Sequence, residues 1–89
     1  MFFVCTSKYQ KEAEAAETDG HRAWIRSNVE AGTLVSAGRQ EPPVGGVVII
    51  KADSREKAEE VIKADPFVTG GVAVYEIVAF RPAVGVLSE

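Results

Sequence analysis

The chain opens on an apolar run, Met1-Phe2-Phe3-Val4-Cys5-Thr6, short enough to be a buried strand. Lys8 to Thr18 is charged and alanine-rich and reads as a weakly amphipathic helical entry, which Gly20 interrupts. Asp19 is placed to cap a second helical segment, His21 to Ala31, and Gly32 supplies its stop. Within that segment His21, Trp24, Ile25, Asn28 and Val29 share one face by helical spacing. Thr33 to Ala37 predicts a second strand, and Gly38 to Gly46, with Pro42, Pro43 and Gly45, a loop. Val47-Val48-Ile49-Ile50, four consecutive β-branched residues, predicts the third strand. Asp53 with Glu56 has the form of a capping box for a helix over Ser54 to Ala64, which Pro66 ends. Gly70-Gly71 turns the chain into a long final strand, Val72 to Phe80.

This order is β-α-β-β-α-β. Right-handed crossovers convert it into an α+β, ferredoxin-like domain, an antiparallel four-stranded sheet with both helices on one face. The whole chain, 1–89, reads as one domain with its core over about 2–82, and the tail 83–89 is expected to be flexible or to serve contacts. The final strand is largely apolar on both sides: Val72, Val74, Val78 and Phe80 with Glu76 on one, Ala73, Tyr75, Ile77 and Ala79 on the other. A two-layer domain would leave one of those sides wet, so a homodimer packed sheet to sheet is expected.

Composition narrows the function. At 89 residues the chain is one small domain, and a lone copy is marginal in buried surface. Its net charge of −3, with scattered single Lys and Arg, disfavours nucleic-acid binding, which needs a basic patch against phosphates. No apolar run approaches the ~18 residues of a membrane span, and no signal-peptide pattern is present, so a cytoplasmic protein is expected. Cys5 is the only cysteine and His21 the only histidine. That excludes an internal disulfide and Cys/His zinc sites within one chain, and the chemistry expected calls for no metal or cofactor.

The chemistry therefore gathers around His21 and Asp65. Ala58, Val61, Ile62 and Asp65 form the core-facing stripe of the second helix, so each helix carries one ionisable residue at an end of its apolar face. In β-α-β-β-α-β the helices run antiparallel, and the start of the first and the finish of the second share one end of the domain. An imidazole and a carboxyl meeting there form an acid/base pair. The alternative is structural: a satisfied core histidine, and an aspartate bonded to nearby backbone before a proline. Ser36, Gly38 and Arg39 at the second strand's end are candidate ligand contacts, Arg39 offering positive charge to an anion. Cys5 reads as a small buried hydrophobe, and Trp24 and Tyr75 as core or interface residues.

The pieces His21-Arg22-Ala23-Trp24-Ile25, Ala31-Gly32-Thr33-Leu34, Ser36-Ala37-Gly38, Gly45-Gly46-Val47-Val48, Asp65-Pro66-Phe67 and Gly71-Val72-Ala73, in that order, resemble the YCII-related (YciI-like) family over about residues 2 to 82. The resemblance implies a dimeric α+β barrel, in which ferredoxin-like subunits pack sheet on sheet, with further assembly open. It also implies an active site at His21 and Asp65, with lyase- or dehydrochlorinase-type acid/base chemistry on a small organic molecule, anionic or aromatic. Family members often carry proline after the strand-end glycine, where this chain has Arg39. A non-catalytic dimeric ligand-binding or accessory module is the alternative function.

Overall fold

The computed structural model describes residues 1–88; Glu89, the end of the expected tail, lies outside the described residues. Strand β1 (Phe2–Tyr9) runs three residues past its apolar run, because Ser7, Lys8 and Tyr9 pair with Tyr75, Val74 and Ala73. The helical entry expected from Lys8 is therefore strand, then irregular chain up to Glu14.

Helix α1 (Ala15–Glu30) is continuous through Gly20, and Asp19 lies inside it. Its true start is Glu14, whose backbone N–H donates to the Glu17 carboxylate at 2.9 Å. Gly20 does not break the helix; it thins it. A Cβ there would sit 3.0 Å from Cγ of Pro66, so the missing side chain lets the segment around Pro66 lie against α1.

Strands β2 (Leu34–Arg39) and β3 (Gly46–Lys51) reach further toward one another than the proline pattern predicts, leaving only residues 40–45 between them. The Gln40 amide holds this loop by donating to the carbonyls of Ser7 at 2.8 Å and Gly46 at 3.1 Å. The Gly46 N–H donates to Ser7 Oγ at 2.8 Å. Gly45 passes so close to β1 that a Cβ would collide with the Ser7 carbonyl.

Helix α2 (Arg55–Lys63) is capped by Ser54, whose hydroxyl accepts from the Lys57 N–H, while Asp53 pairs with the Lys57 ammonium instead. Pro66 then does more than end a helix. It occupies the first turn of α3 (Pro66–Thr69), where its missing N–H costs nothing. Strand β4 (Ala73–Phe80) closes the chain.

The sheet order is β2-β3-β1-β4 with every neighbour antiparallel, the ferredoxin-like arrangement expected from the element order. Phe3, Cys5, Leu34, Val48 and Ile50 meet Trp24, Ala58 and Ile62 in the core between sheet and helices. Each large apolar side chain buried this way contributes about 1.5–3 kcal/mol. The Trp24 indole N–H donates to the Val61 carbonyl at 3.0 Å, tying α1 to α2.

The β2–β3 ladder shifts register between Leu34 and Ser36, with Val35 as the extra residue. Leu34 stays in the core, Ala37 and Arg39 follow on the helix-facing side, and Ser36 falls opposite Ile49 on the other side. That other side, built from Phe2, Val4, Val47, Ile49, Val74, Val78 and Phe80, has no layer of secondary structure over it among the described residues. Val74 and Val78 are 57% and 63% exposed. Among the described residues no helix is long and apolar enough to cross a membrane.

Candidate active site

Asp65 is completely buried and bound from three directions. It caps α3, its Oδ1 accepting from the Phe67 N–H at 2.9 Å. The same Oδ1 lies 2.7 Å from His21 Nδ1, and Oδ2 accepts from the Tyr75 hydroxyl at 2.9 Å. The local reading of an aspartate before proline and the long-range reading of an imidazole partner thus hold together, through one carboxylate. Both carboxylate oxygens are occupied by donors, so Nδ1 carries the ring proton that points at Asp65. Nε2 is then the basic nitrogen.

The imidazole is held on its faces as well. It lies flat on Phe67, ring centroids 3.9 Å apart and planes 1° apart, with Trp24 on a looser stack at 5.8 Å. Only 17% of the His21 side chain is exposed, and Asp65 none. Since Nδ1 faces the buried carboxylate, the edge left to solvent is the one bearing Nε2.

His21 lines a cavity of about 270 Å³ between α1 and the sheet. Ser7, Tyr9, Thr18, Arg22, Phe67 and Tyr75 are among its lining residues, as are Gly38 and Arg39 from the end of β2. Ser36 is not. The register shift at Val35 turns Ser36 to the opposite side of the sheet, so the structure does not bring it to His21. Gly38 contributes backbone to the wall even though it pairs with Val47 on that opposite side.

Tyr75, which the sequence reads as a core or interface residue, is also a partner of the site. Its pKa is driven well above the ordinary phenol value, first by burial, then by the charge of Asp65 and the hydrogen bond to it. It therefore stays protonated and acts as a fixed donor that holds Asp65. The signal lay in the pairing: Tyr75 stands opposite Ser7, on the helix-facing side of the sheet. Phe67 and Arg22 were unmarked, although each is adjacent to a residue that was singled out. Cys5 behaves as read: fully buried, its thiol pushed up to about 11 by desolvation, with Arg55 a smaller opposing influence. Among the described residues no three His, Cys, Asp or Glu side chains converge in a way that could hold a metal ion.

Fold and site together define a ferredoxin-like α+β domain with a histidine–carboxylate pair whose imidazole lines a small cavity. The chain belongs to the YCII-related domain family, which it matches over residues 1–81. Among solved structures it is similar to 5-chloro-2-hydroxyhydroquinone dehydrochlorinase (TftG) from Burkholderia phenoliruptrix AC1100, in complex with 2,5-dihydroxybenzoquinone. The TM-score is 0.70 at 15% identity, over 91% of this chain and 94% of that one. No curated protein matches the sequence.

Proposed function

We propose that this protein is a small-molecule enzyme in which His21 moves a proton and Asp65 orients it, in chemistry of the lyase or dehydrochlorinase type. The 2.7 Å bond between His21 Nδ1 and a carboxylate with no solvent exposure carries the reading. It leaves Nε2 basic, and it stabilises the imidazolium that forms when Nε2 takes a proton. For an elimination, Nε2 removes a proton from a ring or chain carbon. The electron pair of the broken C–H bond becomes the new double bond, and the leaving group departs from the neighbouring atom with its own pair. The imidazolium then returns its proton to solvent. The action of the dehydrochlorinase relative on a ring substrate, and its binding of a quinone, agree with this proposal.

Imidazole ¹⁵N shifts of His21, followed against pH with and without 2,5-dihydroxybenzoquinone, test the proposal. The expected result is a proton fixed on Nδ1 and a shift of Nε2 on adding the quinone. An imidazole that does not respond to the quinone overturns proton transfer and favours the structural reading of the pair.

The same proposal includes a homodimer formed through the open side of the sheet. Val74, Val78 and Phe80 are exposed there, and Val84 and Val86 of the tail lie open as well. Covering 500 Å² of apolar surface would contribute on the order of 12 kcal/mol before ordering costs. Val78→Asp places a charge in the middle of that surface. Sedimentation equilibrium is expected to show a micromolar dimer for the natural chain and a monomer for the variant; a monomeric natural chain overturns this part.

A further inference from the structure

Thr18, His21, Arg22 and Ile25 form one stripe of α1, spaced i, i+3, i+4 and i+7, and line the cavity together. β2 meets that stripe with Ala37 and Arg39. Proton transfer at His21 uses neither arginine. Yet among the described residues the cavity lining contains no aspartate or glutamate, in a chain where 13 acids outnumber 10 lysines and arginines. Apart from the imidazole, its charged side chains among the described residues are Arg22 and Arg39. Among the described residues, neither guanidinium has an ion pair or hydrogen-bond partner. The carboxylate of Asp65 sits behind His21 and Tyr75 with its oxygens committed.

An arginine keeps its charge at every pH at which an imidazole works as a base. Two of them in the lining, with no acid among the described lining residues, favour an anion there and offer ten N–H donors suited to a planar carboxylate. The size is also informative. A dry cavity of about 150 Å³ accepts benzene, and this one, at about 270 Å³, has room for a single substituted ring. Phe67, Tyr9, Ile25 and Val48 supply apolar wall for such a ring.

We propose that the substrate is a small ring-bearing carboxylate whose anionic group is held by Arg22 and Arg39 while the ring lies beside His21. This specifies the substrate class for the acid/base site and rests on that assignment. It also serves the chemistry: a carboxylate neutralised by two guanidinium groups no longer opposes the negative charge that builds when a neighbouring C–H loses its proton.

Benzoate and its uncharged isostere benzamide are suitable probes, titrated calorimetrically and by amide and imidazole NMR into the natural chain, Arg22→Gln and Arg39→Gln. Charge-assisted bonds of this kind predict that benzoate binds the natural chain about tenfold or more tightly than benzamide, and that each variant loses about tenfold. Added salt should weaken benzoate alone. Equal binding of the two probes, variants that bind benzoate like the natural chain, or no benzoate binding up to its solubility limit each overturns the proposal. The outcomes also separate the two readings. If both probes shift the imidazole equally in all three proteins, the anion site is gone and the acid/base site stands. Benzoate binding that requires both arginines but leaves the imidazole unmoved keeps the anion site and removes the role of His21.

Discussion

Replacing His21 with glutamine is expected to lower turnover of the protein's substrate by about 10²–10⁴-fold, the range a positioned acid–base group supplies. Glutamine keeps an N–H that can reach Asp65 but has no basic nitrogen to offer the cavity. The loss should therefore appear in kcat with little change in KM, because binding is the work of the cavity wall. Chloride release from chlorinated hydroquinones is a direct assay for a dehydrochlorinase-type reaction. Turnover retained in His21→Gln, on any substrate the natural chain converts, would remove His21 from the mechanism. Asp65→Asn is the informative companion. A side-chain amide can donate to Nδ1 and so reverse the tautomer, giving a histidine that is present but offers its protonated nitrogen to the substrate.

Asp65→Ala is expected to cost about 3–5 kcal/mol of stability, as breaking a buried charged pair typically does. Three donors lose their acceptor at once: the Phe67 N–H, the Tyr75 hydroxyl and the His21 Nδ1–H. Leaving a buried donor unmet costs about 1–3 kcal/mol each. α3 also loses its cap. In a small domain whose whole stability is about 5–15 kcal/mol, a loss of this size lowers Tm by roughly 20 °C. Thermal and urea unfolding followed by Trp24 fluorescence measures it. A shift of only a few degrees would mean that these bonds reform with water and that the carboxylate does not hold this end of the fold together.

The topology was legible because it depends on element order and on strong local signals such as the Val47–Ile50 run. The meeting of His21 and Asp65 was legible for the same reason: antiparallel helices bring those two ends together whatever the details of the loops. What failed were features decided by neighbours distant in sequence. Gly20 looks like a break until Pro66 is found against it, and the close approach is visible only in three dimensions. Pro66 stops one helix and starts another, since proline is unfavourable within a helix but suited to its first turn. Ser36 and Arg39 look like one ligand-binding group in sequence, yet the odd spacing between them, with the register shift at Val35, sends them to opposite sides of the sheet. Tyr75 fits its apolar alternation so well that nothing in β4 alone marks its hydroxyl as a partner for Asp65.

The flat stack of His21 on Phe67, at 3.9 Å and 1°, has a consequence for how a working cycle must end. With one ring nitrogen tied to Asp65 and one face pressed on a phenyl group, the imidazole cannot rotate to trade its two nitrogens. In the proposed acid/base role, a proton gained at the open edge leaves by that same edge. With His21 as the proposed acid/base, discharge of the proton is therefore tied to the side of the ring that faces away from Asp65, and no second nitrogen can relay it.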